Sequence, residues 1–352
     1  MADTSNSAPR IAIVSASERQ RLNLGVILGR NGLQVVLNQS PFNGFLSLAC
    51  ARKAEALLID LDAEAVFNDE LLTSLLEQDS LPILLNDSAA TRMDAGIQNG
   101  YWGRQLARKL TDMAHEVRQR PAASVAPASA PNQHRNSNSP DADTVATQVW
   151  VLGASIGGPQ ALKRFMAALP PGLPLAFVLA QHIGTNFLEL LARQLDQIST
   201  FRVLPAQAGH LLCRQQMVLA PVDEEMDIDA SGRIVCTPAT DNGVLYRPSI
   251  DAVLMNVARR YGKRSGAIIF SGMGNDGAEG VRAMAAQGAE VWAQDAASCL
   301  VSSMPDQVRQ TGVVSFSGTP EALAQRLAQL HPAQPAAARR LLHTPGQTGL
   351  TA

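Results

Sequence analysis

The chain has 352 residues, 46% of them hydrophobic and 17% charged, a make-up that fits a folded globular protein with room for two cores. No apolar run approaches the roughly 20 residues of a spanning helix, so membrane insertion is not expected. Lysine and arginine number 29 against 31 acids, and aromatic residues make up 4%, which leaves no basic field for phosphates and few stacking surfaces for bases; nucleic acid is not an expected partner.

The first nine residues are polar and read as a disordered N-terminus without a secretory segment. Cys50, Cys213, Cys236 and Cys299 form no Cys-x-x-Cys pair, so a cytoplasmic protein with cysteines acting as small buried hydrophobes is expected. From Ile11 to Val14 the pattern is that of a buried strand, from Leu22 to Gly29 a helix, and from Leu33 to Leu37 a strand; Ala56 to Ile59 and Leu81 to Leu85 are two more strand-length runs. This alternation predicts a small parallel α/β unit over 10–118, and its order resembles a response-regulator receiver (flavodoxin-like) domain. Asp60 ends the third strand, where the resemblance puts the phosphoacceptor. The resemblance also implies an acidic pair after the first strand to hold Mg²⁺, but Ser15-Ala16 stands there, and Asn86-Asp87 replaces the Thr or Ser after the fourth strand. The expectation is a degenerate receiver in which Asp60 is a strand-end acid and not a switch.

Residues 119–145 are rich in Pro, Ala, Ser and Asn without apolar periodicity and read as a linker; 331–352 reads as a flexible tail. Between them, 146–330 reads as a second α/β domain. Gln148 to Leu152, Leu175 to Ala180, Ala267 to Phe270 and Val291 to Ala293 are expected strands. Gly157 to Leu169, Asn186 to Ile198 with Asn186 as cap, Ile250 to Tyr261 and Ala278 to Gln287 are expected helices. Short runs between Val203 and Pro238, including Gln216 to Leu219, suggest hairpins decorating one edge. The predicted core is a doubly wound, mainly parallel sheet.

Between the first of these strands and its helix stands Gly153-Ala154-Ser155-Ile156-Gly157-Gly158-Pro159, a Gly-x-Ser-x-Gly turn in the strand–turn–helix context that gives it meaning. Small neighbours permit the sharp turn, and the helix N-terminus offers unsatisfied N–H groups to a developing oxyanion. A dinucleotide loop is the competing reading; it fails because Ser155 occupies the middle glycine position, where a side chain obstructs a pyrophosphate. A serine hydroxyl needs a base with a pKa near 7, and His182 ends the next strand on the same sheet edge. Alone, a strand-end histidine is more often structural. Ser271-Gly272-Met273-Gly274-Asn275-Asp276-Gly277-Ala278 is a third strand-to-helix turn, and its Asp276 reads equally as a helix cap or as the acid that orients the imidazole.

The order Ser, His, Asp excludes the α/β-hydrolases. Together with Gln181-His182, Arg247-Pro248-Ser249-Ile250-Asp251, Ala293-Gln294-Asp295 and Met304-Pro305, these motifs make the segment from about Gln148 to Leu330 closely similar to the CheB-type chemotaxis receptor methylesterases. The resemblance implies Ser155 as nucleophile, His182 as general base and Asp276 as its orienting acid. It further implies the amides of Ile156 and Met273 as oxyanion donors, with Gly153 and Gly157 shaping the turn. Arg247, Asn275 and Asp251 would orient the substrate, and neither metal nor organic cofactor is needed. The implied substrate is a glutamate γ-methyl ester on the cytoplasmic helices of a methyl-accepting chemoreceptor, with glutamine deamidation as a side activity. A chemosensory histidine kinase is the implied regulator, since in members with intact receivers that domain covers the site until phosphorylated. The sequence departs from the family at Ile156 (usually Thr), at Ile183-Gly184-Thr185 (commonly Met-Pro) and at Ser303 (typically Gly), none of which is a proton-transfer group. A catalytically silent array adaptor of the same fold is the alternative reading.

Overall fold

The computed structural model describes residues 7–41, 45–61, 81–87, 101–119, 145–239 and 247–333. The first unit contains β1 (Arg10–Ser15), α1 (Glu18–Arg30), β2 (Gln34–Gln39), α2 (Phe45–Ala51), β3 (Ala56–Leu61), β4 (Ile83–Asp87) and α3 (Tyr101–Gln119). Its strands form one parallel sheet in the order β2-β1-β3-β4. β1 runs as a continuous apolar stretch because both faces of such a sheet are covered. α1 begins four residues before its apolar pattern, since Ser17 Oγ accepts the Gln20 N–H at 3.3 Å and starts the helix with a polar turn. The residues in which a fifth strand would fall, 88–100, and the expected linker from 120 to 144 lie outside the described residues. Of the two expected disordered ends, Ser7 and Ala8 accept hydrogen bonds from Arg118, and His331 accepts one from Trp150 Nε1 at 3.2 Å.

The second unit contains β5 (Val149–Ala154), α4 (Gly158–Ala168), β6 (Ala176–Gln181), α5 (Thr185–Ile198), β7 (Arg202–Pro205), β8 (Gln216–Leu219), β9 (Glu224–Ile228), β10 (Ile234–Pro238), α6 (Ile250–Tyr261), β11 (Ser265–Ile269), α7 (Ala278–Ala286), β12 (Glu290–Gln294), α8 (Ser303–Gln310), β13 (Phe316–Gly318) and α9 (Pro320–Leu330). Seven strands form a parallel sheet in the order β13-β12-β11-β5-β6-β8-β7, as the doubly wound expectation requires. The chain runs outward from β5 through β6 to β7 and β8, then returns to build β11, β12 and β13 on the other flank. β5 and β11 therefore flank the switch point, where the crevice at the strands' C-terminal ends opens.

Three local expectations are corrected. Gln216–Leu219 is not an edge hairpin but a parallel strand between β6 and β7, and Met217, Val218 and Leu219 are fully buried there. Among the described residues only β9 and β10 form an antiparallel hairpin, as a separate two-stranded sheet. α5 is capped by Gly184, so Asn186 lies inside its first turn. Cys213 and Cys299 are buried as expected, but Cys236 is only half-buried and Cys50 is exposed, its neighbour Ala49 filling the inward position of α2.

Candidate active site

Ser155 and His182 are the first residues beyond β5 and β6, and Asp276 lies in the loop after β11, seven residues past that strand's end and two before α7; the three strands are adjacent. The β5–β6 ladder ends on Ala154 paired with Gln181, and His182 N–H donates to Ala154 O at 2.9 Å. On the other flank Phe270 N–H donates to Gly153 O at 2.8 Å and Ser155 N–H to Ser271 O at 3.0 Å. Backbone pairing on both sides thus fixes the serine peptide at the sheet edge, with Ser155 only 8% exposed.

The glycines around Ser155 are there for space. A Cβ on Gly153 would lie 2.7 Å from Ile269 Cδ1 and 2.8 Å from Ile250 Cγ2, so this glycine lets the start of α6 approach the sheet. Gly157 has φ +76° and caps α4; its Cβ would lie 2.5 Å from Leu300 Cβ and 2.6 Å from Ser271 Oγ. Pro159 sits in the first turn of α4, where no donor is missed.

The Asp276 carboxylate accepts from His182 Nε2 at 2.8 Å through Oδ2, which also accepts the Ile250 N–H at 2.8 Å; Oδ1 accepts the Asp251 N–H at 2.9 Å. An ionised carboxylate only accepts, so the proton of this bond sits on Nε2 and leaves Nδ1 as the basic nitrogen. Burial alone would push the Asp276 pKa up, but the bond and charge of His182 and the two backbone N–H groups outweigh it and hold the pKa below its ordinary value. Asp276 is indeed a cap, though of α6 and not of the helix that follows it. The helix it caps begins 26 residues earlier in the chain, and the same carboxylate also binds the His182 ring.

Asp251, expected to orient substrate, instead turns inward: its Oδ1 accepts the Gly280 N–H at 2.6 Å, and the Gly277 N–H also reaches it. The two acids therefore cap each other's helices, Asp276 holding the start of α6 and Asp251 the start of α7. Burial, opposed by the Gly280 bond and reinforced by the neighbouring Asp276 charge, pushes the Asp251 pKa up to about 6. A carboxyl with a raised folded pKa stabilises the fold in its protonated form, and that contribution is lost as pH rises from the usual carboxylate range through about 6. Asp251→Asn keeps an acceptor for Gly280 and cannot ionise. Its melting temperature is expected to gain on the wild type between pH 5 and pH 8; a gap constant over that range would contradict this account.

Met273 is buried in the β11–α7 loop and Ile156 is half-buried beside Ser155. Ser155 donates its own N–H to Ser271 O, so that amide is already engaged and is not offered to an oxyanion. Arg247 is half-buried before α6; Asn275 is exposed, and its carbonyl accepts from Ala278 N–H at 3.1 Å. Two further residues shape the site. Ser271 Oγ donates to Ile156 O at 2.8 Å and accepts from Val301 N–H at 3.0 Å, while Gln294 Oε1 accepts the Ser271 N–H at 2.8 Å. Both stand at or just past the end of an apolar strand, the signal by which sequence could have found them. Met273 and Val301, with Ile156 and Leu300 packed against them, share one apolar cluster with Leu24, Leu28, Leu106, Leu110 and Met113 of the first unit.

Among the described residues no cluster of His, Cys, Asp and Glu could hold a metal ion, and no helix is long and apolar enough to cross a membrane. What the site does offer is a carboxylate-held imidazole at the end of β6 and, at the end of the neighbouring β5, a serine before a helix N-terminus.

The sequence profile described as "CheB methylesterase" matches residues 150–327. A protein-glutamate methylesterase/protein-glutamine glutaminase of Moorella thermoacetica is 40% identical over 172 residues, covering 48% of this chain and 41% of that protein. One from Pseudomonas syringae pv. syringae is 34% identical over 192 residues, covering 54% of this chain and 50% of that protein. The chain thus spans about half the length, or less, of these curated relatives. The crystal structure of the Thermotoga maritima CheB methylesterase catalytic domain superposes with a TM-score of 0.50 at 29% identity, covering 52% of this chain and 98% of that one.

Proposed function

The chain belongs to the CheB methylesterase family, and we propose that it is a serine hydrolase that removes methyl groups from glutamate γ-methyl esters on the cytoplasmic helices of chemoreceptors. The observation that carries this reading is the Asp276–His182 bond at the strand ends that also hold Ser155. Ser155 attacks the ester carbonyl as His182 Nδ1 takes its proton, and Asp276 stabilises the resulting imidazolium. The amides of Ile156 and Met273 receive the oxyanion. The proton then passes to the departing methoxide, methanol leaves, and a water deprotonated by His182 hydrolyses the acyl-enzyme. The same route acts on a glutamine amide with release of ammonia, in keeping with the glutaminase in the relatives' names.

The test is methanol release from a methylated receptor fragment by the intact protein, combined with mass mapping of a fluorophosphonate adduct. Release with the adduct on Ser155 supports the reading. A protein that binds the fragment but yields neither methanol nor adduct is an adaptor.

The first unit is proposed to be a receiver-like regulatory domain that no longer answers to aspartyl phosphorylation. Asp60 is 1% exposed, and Ser15 Oγ, from the position where an acid would bind Mg²⁺, donates to its Oδ2 at 3.2 Å. Acetyl phosphate with Mg²⁺ is expected to leave Asp60 unlabelled; stoichiometric, Mg²⁺-dependent labelling would restore the switch. Regulation by a chemosensory kinase would then have to pass through protein contacts with this unit, whose apolar cluster includes Met273 and Val301 at the rim of the site.

A further inference from the structure

β6 reads Ala-Phe-Val-Leu-Ala-Gln, five apolar residues and then a primary amide that is 2% exposed. Burying an amide is unfavourable unless its hydrogen bonds are made. Gln181 makes them on one side only. Its Nε2 donates to Ser155 O at 2.9 Å and to His182 O at 3.1 Å, while its Oε1 is buried without a hydrogen-bond partner. Turning the amide over would set Oε1 against two carbonyl oxygens, so the assignment of N and O follows from the contacts.

The place of these two bonds matters. The β5–β6 ladder stops at Ala154 and Gln181, and Ser155 and His182 are the first residues beyond it. Past that point the side-chain amide of Gln181 ties the two peptides together. Room for it is kept by Gly158: a Cβ there would run into Gln181 Oε1 and lie 2.7 Å from Ala154 Cβ. A methionine of the same length would pack the pocket without stranding an acceptor, so packing does not account for the amide; its two donated bonds do.

We propose that Gln181 is a positioning residue of the hydrolytic site, setting the spacing of nucleophile and base by joining the Ser155 and His182 carbonyls through one NH₂ group. This rests on the hydrolase reading of Ser155, His182 and Asp276 given above. It touches neither substrate nor the reacting atoms, so it acts on turnover and not on receptor affinity. A displacement of the reacting groups by about 1 Å is enough to lower turnover about 100-fold.

The experiment compares the full chain with Gln181→Met, which loses both donors, and Gln181→Glu, which keeps at most one donor, and that only when its carboxyl is protonated. Four quantities are read: kcat and KM for methanol release from a methylated receptor fragment, the rate at which a small fluorophosphonate labels Ser155, and the melting temperature. The expected result is a drop of about 10- to 100-fold in kcat and a matching drop in labelling rate, at unchanged KM. Folded variants within twofold of the wild type, or variants altered only in KM, overturn the positioning role and leave the hydrolase reading intact. Loss of fold in both variants also overturns it, by making Gln181 a core residue. A wild type no faster than Ser155→Ala in both assays instead removes the hydrolase reading itself.

Discussion

Methanol release is expected to fall by about 10⁶-fold in Ser155→Ala and by about 10⁴-fold in Asp276→Asn. On the proposed mechanism, the first loss removes the nucleophile and leaves only what binding and the oxyanion donors provide. The second is the more instructive, since Asn has nearly the shape of Asp but cannot satisfy three donors. Oδ2 of Asp276 receives both His182 Nε2 and the Ile250 N–H, and Oδ1 receives the Asp251 N–H. Whichever way an Asn is turned, its NH₂ faces a backbone N–H. In one orientation it also offers a proton to Nε2, forcing the imidazole to carry its own proton on Nδ1, where it can no longer act as a base. In both, the imidazolium formed during proton transfer loses its counter-charge. The α6 cap weakens at the same time, by about 1 kcal/mol, so kcat and the melting temperature should be read together. An Asp276→Asn protein that keeps its turnover within tenfold would mean that Asp276 serves α6 alone.

Gly157→Ala is expected to destabilise the protein by about 3 kcal/mol and to lower turnover in what remains folded. Two costs combine here. The backbone at φ +76° disfavours any Cβ, and this Cβ would lie 2.5 Å from Leu300 Cβ, an atom next to the main chain that cannot swing aside. The other neighbour, Ser271 Oγ at 2.6 Å, bridges Ile156 O and Val301 N–H, so moving it disturbs the peptide beside Ser155. Gly209→Ala separates the two costs, because Gly209 has φ +81° but nothing within 4 Å of the added methyl. Its loss should be about 1 kcal/mol. Equal chemical-denaturation midpoints for the two variants would show that the collision with Leu300 and Ser271 is relieved at no cost.

What the sequence made legible follows the range of the physics involved. The turn at Ser155 was readable because small residues on both sides of a serine, between an apolar run and a proline, report a local backbone geometry. The alternation of strands and helices was readable for the same reason, and gave the doubly wound sheet. β8 was misplaced because Gln216–Leu219 is four residues long, and its insertion between β6 and β7 depends on partners far away in the chain. The start of α5 was misjudged by two residues because Asn186 is a good cap on propensity alone, whereas Gly184 holds the cap position in the fold. At Asp276 the two competing sequence readings proved to be compatible, since the helix it caps begins 26 residues earlier and is brought to it only by tertiary structure. Asp251 and Gln181 carried no local signal of their contacts, because one reaches across to α7 and the other across the end of a ladder.

The exchange of caps between α6 and α7 makes the imidazole's anchor and the docking of two helices a single cooperative event. The amides of Ile250, Asp251 and Gly280 should exchange with solvent as one group, opening only when both helices part. Fraying at the start of either helix is expected to loosen the carboxylate that holds the start of the other, and with it the hold on His182. A transplant of Ser155, His182 and Asp276 into another parallel sheet would therefore carry the proposed reacting groups without the cap exchange around Asp276, unless Asp251 and the first turns of both helices travelled with them.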